Sequence, residues 1–196
     1  MFDPRHSVSA AACGLALLVL CFDARAEAPA APAEVSAAER VALTSFLLLN
    51  PDFSQWNNEL PAAWIVSDPG SVSKAAEAET GATLVSVLPA GKDFVDLRQN
   101  PDPALCLPGD QLILEADCYA DEAGSVEAVL RINFEGDKRV IMRESHPGGG
   151  WAKLRVICQV PEAPLSLVEC RIRVLKAAET PVRVRSAQAQ IVPAIP

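Results

Sequence analysis

The stretch LLLNPDFSQWNNELPAAWIV, residues 47–66, decides the fold. It opens on an apolar run suited to a buried strand, predicted over residues 44–49. Asn50-Pro51-Asp52 ends that run, because proline cannot donate to a ladder and disfavours a helical residue before it. Phe53 and Trp56 follow in a polar loop, then Leu60-Pro61, then a second strand over residues 64–67. Large aromatic rings in a Pro/Asn-rich loop plug the end of a β-core.

Downstream, the apolar pattern has period two. Leu112, Leu114, Ala116 and Cys118 share one face, with Ile113, Glu115, Asp117 and Tyr119 on the other. Val126, Ala128, Leu130, Ile132 and Phe134 repeat the inward set, leaving Glu127, Arg131 and Asn133 outward. Glu135-Gly136-Asp137-Lys138 is a hairpin turn into a strand over residues 139–143. Leu154, Val156, Cys158 and Val160 then point inward, as do Val168, Cys170, Ile172 and Val174, with Arg171 and Arg173 outward. Shorter strands are predicted over residues 83–88 and 94–98, and a last one over 182–192; residues 71–78 are ambiguous. Many short strands, regular turns and no long amphipathic helix predict an all-β antiparallel sandwich.

Upstream, Arg5 and His6, an apolar run over residues 10–22 and Ala24-Arg25-Ala26 have the form of a signal peptide over residues 1–26. The run is too short to span a bilayer, so no membrane is expected after cleavage, and the protein is expected to be secreted or periplasmic. Residues 27–42 form an Ala/Pro-rich linker, and residues 43–196 form the domain. The formal net charge of -8 argues against nucleic acid as a partner. Cys106, Cys118, Cys158 and Cys170 are an even set in an oxidising compartment, open to three connectivities or to reduced buried thiols; a Cys158–Cys170 pair is geometrically conceivable. No C-x-x-C, G-x-S-x-G or phosphate-binding loop occurs, so no catalytic residue and no metal site is expected. His146 beside Ser145 does not make a nucleophile pair, because adjacent residues rarely point together on a strand.

Asn50-Pro51-Asp52-Phe53-Ser54, Leu60-Pro61-Ala62-Ala63-Trp64, the strand after Pro108-Gly109, the segment from Trp151 to Pro161 and the last strand stand in a telling order. Together they resemble carbohydrate-binding modules of the galactose-binding-like β-jelly-roll type. The resemblance implies a jelly roll, a glycan ligand on a concave sheet face or loop rim, and structural roles for Trp64 and Trp151. It also implies a calcium site, but Pro51, Ser54 and Ser186-Ala187-Gln188 stand where the family's pattern is Gly or acidic, so that site is expected to be absent or degenerate. Cofactors are therefore not expected.

Candidate ligand-binding residues are Trp56 and Tyr119 as rings, and Asp117, Arg131, Asn133, Arg171 and Arg173 from an outward polar row that also holds Glu115 and Glu127. Trp56 is open between a core plug, a ligand contact and an exposed rim. The partner is a glycan or an extracellular or periplasmic protein. The competing expectation is a structural or protein-interaction sandwich that has lost the sugar site. Only 5% of the residues are aromatic, few for stacking sugars.

Overall fold

The computed structural model describes residues 47–194. The expected signal peptide and linker, and residues 43–46 and 195–196 of the domain, lie outside the described residues.

Three two-residue strands come first: β1 (Trp56–Asn57), β2 (Leu60–Pro61) and β3 (Ile65–Val66). They are followed by β4 (Val72–Ala76), β5 (Thr83–Val87), β6 (Phe94–Gln99), β7 (Gln111–Ala120) and β8 (Val126–Phe134). The chain continues through β9 (Lys138–Ser145), β10 (Gly150–Gln159), β11 (Leu165–Leu175) and β12 (Val182–Val192). One five-stranded sheet has the order β10-β7-β12-β5-β4, the second has β3-β6-β11-β8-β9, and all pairings are antiparallel. This is an antiparallel β-sandwich of the jelly-roll kind.

The period-two pattern places the core between the sheets. Leu112, Leu114, Ala116 and Cys118 of β7 are buried, as are Leu154, Val156 and Cys158 of β10. The second sheet supplies Val126, Ala128, Leu130 and Ile132 of β8 and Val168, Cys170, Ile172 and Val174 of β11. Each fully buried aliphatic side chain contributes about 1.5–3 kcal/mol, which is why the alternation, and not local propensity, sets which face is in. Ile113 and Val129, outward on β7 and β8, are also buried.

The aromatic loop closes one end as its composition requires. Phe53 is fully buried and Trp64 nearly so, with ring centroids 4.9 Å apart. Trp64 Nε1 donates to the Asn50 carbonyl at 3.2 Å, and Trp56 Nε1 to the Phe53 carbonyl at 2.7 Å. Asn50 pins the loop: its Nδ2 donates to the carbonyls of Gln55 and Ala62 at 2.9 and 3.0 Å, and its Oδ1 accepts from Gln55 N at 3.0 Å.

The structure corrects three expectations. Residues 47–49 are not a strand. Leu47 N donates to the Ala189 carbonyl at 3.1 Å and Ala187 N to the Pro51 carbonyl at 2.8 Å, so the segment lies along β12. Asn50, at φ 50°, bends the chain between these two contacts, and no ladder forms. Trp151 is not in the core: it is 37% exposed, because its odd position in β10 shares parity with Lys153 and Arg155, outside. The conceived Cys158–Cys170 pair is not formed; the two thiols belong to different sheets, on β10 and β11, and Cys118, Cys158 and Cys170 are free and buried. Burial pushes all three thiol pKa values up. His146 lies in the loop after β9 and is buried there. Its Nε2 lies 3.0 Å from the Cys118 carbonyl, and its Nδ1 accepts from Gly148 N at 2.9 Å.

Candidate functional site

The outward residues singled out from sequence do not form one row. The two sheets carry them on opposite sides of the sandwich.

Asp117 and Tyr119 are on the outer face of β7. Tyr119 meets Trp151 edge to face, with centroids 5.7 Å apart, and donates its hydroxyl to Asp121 Oδ1 at 2.8 Å. That hydrogen bond raises the Tyr119 pKa and lowers that of Asp121, which also accepts from Thr180. Alternation sets Arg183 and Arg185 outward on β12, and a β-bulge at Arg185 brings Ser186 to the same face. The Arg185 guanidinium sits 4.0 Å from the Trp151 ring centroid and that of Arg183 5.3 Å from the Tyr119 centroid. Arg185 also bonds Asp117 at 3.0 Å and Glu77. The aromatic pair is therefore roofed by cations and offers little bare ring for a sugar. Trp56 lies apart from both faces, half-buried in the closing loop, with the Lys74 ammonium 5.9 Å from its ring.

Arg131, Asn133, Arg171 and Arg173 do come together, on the outer face of the second sheet. β8 pairs β11 on one side and β9 on the other, so Arg171, Val129 and Arg143 stand in one cross-strand row. In the adjacent row Arg131 faces Glu169 and Ile141, and in the next Asn133 faces Arg139. Val129, Ile141 and the guanidinium groups of Arg131, Arg139, Arg143, Arg171 and Arg173 line a depression of about 180 Å³.

Its electrostatics follow from three buried carboxylates. Asp96 on β6 accepts from Arg173 Nε at 2.8 Å and Nη2 at 3.1 Å, a bidentate geometry that raises the Arg173 pKa, and it also faces Arg171 Nη1 at 3.3 Å. Glu169 bonds Arg171 and lies 3.4 Å from Arg98. Glu127 lies 3.7 Å from Arg143 and accepts from Ser145 at 3.3 Å. The outer positions of β6, β11, β8 and β9 thus hold six arginines against three carboxylates. Arg131 donates from Nε to Asn133 at 3.0 Å, and neither it nor Arg139 has an ion pair among the described residues. Arg171 Nε is buried without a hydrogen-bond partner among the described residues.

Sequence reading missed Arg139, Arg143, Val129 and Ile141 as lining residues. The signal was present: the 135–138 hairpin turn fixes their register against Arg131, and odd positions on β9 must then share its face. Among the described residues no group of three acidic, histidine or cysteine side chains is disposed to hold a metal, and no helix is long and apolar enough to cross a membrane.

No protein-family model matches the chain, and no curated protein does. Solved structures do. A family 16 carbohydrate-binding module is 18% identical, with TM-score 0.58, over 73% of this chain and 98% of that one. The CBM22-1 xylan-binding domain from Paenibacillus barcinonensis Xyn10C is 10% identical, with TM-score 0.53, over 74% and 94%. A cyclase from Fischerella sp. TAU is 16% identical, with TM-score 0.56, over 78% and 98%. The likeness is one of fold: the chain has the jelly roll of carbohydrate-binding modules, a scaffold that also occurs in an enzyme.

Proposed function

We propose that the chain is an exported, non-catalytic carbohydrate-binding module that holds a glycan on the outer face of the second sheet. The carrying observation is the convergence of Arg131, Arg171 and Arg173 on one depression, with Val129 and Ile141 beside them and the Asn133 amide bonded to Arg131. Guanidinium and amide groups held by cross-strand packing hydrogen-bond ring hydroxyls in fixed geometry, and the aliphatic side chains accept the C–H face of a sugar. Export rests on the signal-like pattern of residues 1–26. Affinity electrophoresis of the full chain against soluble neutral and acidic glycans tests the reading. Retardation by at least one glycan, weakened by Arg131→Ala and unchanged by Trp151→Ala, supports it; no retardation by any glycan removes it.

A second reading, a protein-interaction sandwich without a sugar site, is favoured by one observation. Arg185 covers the Trp151 ring at 4.0 Å, so the most exposed tryptophan is already stacked. Loss of a protein partner from cross-linked periplasmic or secreted fractions on Arg185→Ala, with all glycans inert, would select it.

A further inference from the structure

We infer that the ligand of the arginine-lined face is an acidic polysaccharide, its sugar carboxylates paired with Arg131, Arg139 and Arg143 and its C–H face resting on Ile141, beside the nearly covered Val129. The inference rests on the proposed glycan-binding role of this face and names the class of glycan.

The argument begins with unbalanced charge. The chain is acidic overall, with a formal net charge of -8, yet five guanidinium groups surround one depression. Arg131 has Arg139 and Arg143 as its diagonal neighbours across β9, and Arg171 as a diagonal neighbour across β11. Diagonal neighbours on adjacent strands are roughly 7–8 Å apart, near enough for like charges to repel. The face's carboxylates relieve only part of this. Asp96 and Glu169 are engaged by Arg173, Arg171 and Arg98, and Glu127 by Arg143 and Ser145. Arg131 and Arg139, on the β8–β9 side, have no carboxylate within ion-pair distance among the described residues. A sheet face serving only as a solvated surface needs no such excess; a face that receives an anion does.

The shape of the anion follows from what lies between the charges. Val129 is nearly covered and Ile141 is 38% exposed, so the depression has an apolar part as well as a cationic one. A uronate ring has both aspects, a C–H face and an equatorial carboxylate, and guanidinium matches carboxylate in bidentate geometry. Single-stranded nucleic acid would instead require bare aromatic platforms, and the lining of this depression contains none. Phe94, on the same sheet, is stacked by Arg173 at 4.1 Å.

The test uses the full chain and matched pairs of polymers: polygalacturonate and alginate, each against its fully esterified form, with xylan, polyglutamate and duplex DNA alongside. Calorimetric titration is expected to show binding to at least one de-esterified polyuronate, weakened by added salt, and at least tenfold weaker binding to its ester. The double variant Arg131→Gln/Arg139→Gln removes two guanidinium groups without leaving a buried carboxylate alone, and is expected to lose about tenfold or more in affinity. Arg155→Gln, on the opposite sheet, is expected to bind as the parent does. Equal binding to acid and ester, or binding to xylan alone, overturns the acidic class while leaving the glycan role intact. Equal binding to polyglutamate or DNA overturns it as a non-specific charge effect. Silence toward every polysaccharide overturns both.

Discussion

Gln99 holds Leu49 by both ends of one amide: its Nε2 donates to the Leu49 carbonyl at 2.7 Å, and its Oε1 accepts from Leu49 N at 2.9 Å. A buried side chain on β6 thereby stands in for a neighbouring strand and secures the start of the aromatic loop. Gln99→Ala removes both bonds and is expected to cost about 1–3 kcal/mol. Urea unfolding followed by circular dichroism measures it; an unchanged midpoint would show that the loop is held by its aromatic packing alone.

Asp96 is the counter-ion on which the arginine face is built. Its side chain is 8% exposed and faces Arg171, at 12%, and Arg173, at 22%. Removing it leaves two guanidinium groups poorly compensated, so Asp96→Ala is expected to cost about 3–5 kcal/mol. Replacing Lys138, whose pair with Glu135 is exposed, is expected to cost under about 1 kcal/mol in the same unfolding assay.

The two tryptophans at the ends of the resemblance separate by position. Trp64 is packed against Phe53 in the core, and Trp64→Ala is expected to cost about 3–5 kcal/mol. Trp151 is 37% exposed, so its fluorescence is expected to be quenched by acrylamide far more readily than that of Trp64 in single-tryptophan variants. Comparable quenching constants would contradict the outward placement of Trp151.

Burial raises the pKa of the Cys118, Cys158 and Cys170 thiols, and the pH dependence takes its sign from that. The unfolded chain ionises its thiols near about pH 8.5, while the folded protein keeps them protonated to higher pH. The stability they confer is complete below that unfolded value and declines as pH rises beyond it. Urea midpoints are therefore expected to fall between pH 7 and pH 10, by less in a Cys118→Ala/Cys170→Ala variant. Native protein at pH 8 is also expected to resist alkylation at these thiols until denaturant is added.

Gly148 and Gly149 are both left-handed, at φ +84° and +75°, but only one is crowded. A Cβ at Gly148 would lie 2.7 Å from Ala123 N and 3.0 Å from the Asp121 carbonyl, whereas one at Gly149 meets nothing within 4 Å. Gly148 N also donates to the buried His146 ring. Gly148→Ala is expected to destabilise by more than the roughly 1 kcal/mol expected of Gly149→Ala. Equal melting temperatures for the two variants would sink this account.

Much of the sandwich was legible because period-two alternation reports burial directly. Leu112 to Cys118 and Val168 to Cys170 occupy the faces their spacing implies, since a one-residue slip would turn every apolar side chain outward. The same rule, applied to β10, puts Trp151 outside once Leu154 and Val156 are inside; family resemblance pointed the other way, and parity prevailed. Strand 44–49 was over-read in its described part because apolar composition does not reveal that Asn50 takes a positive φ or that Gln99 occupies the Leu49 backbone groups. The candidate site was half legible. Outwardness is local, so Asp117, Arg131 and Arg171 were all recognised as exposed-face residues. Sheet membership is not local, and it set Asp117 and Tyr119 on the far side of the sandwich from Arg131 and Arg171.

By itself, the order of apolar and polar residues determined that this chain forms strands, which side of each faces the core, and that a loop carrying Phe53 closes one end. Only the tertiary structure decided which strands become neighbours. Hydrogen bonding across β6, β11, β8 and β9 is what brings arginines from three of them around one depression and leaves two without a carboxylate. Side-chain alternation is written into each strand separately, whereas lateral pairing is chosen by the packing of the whole core.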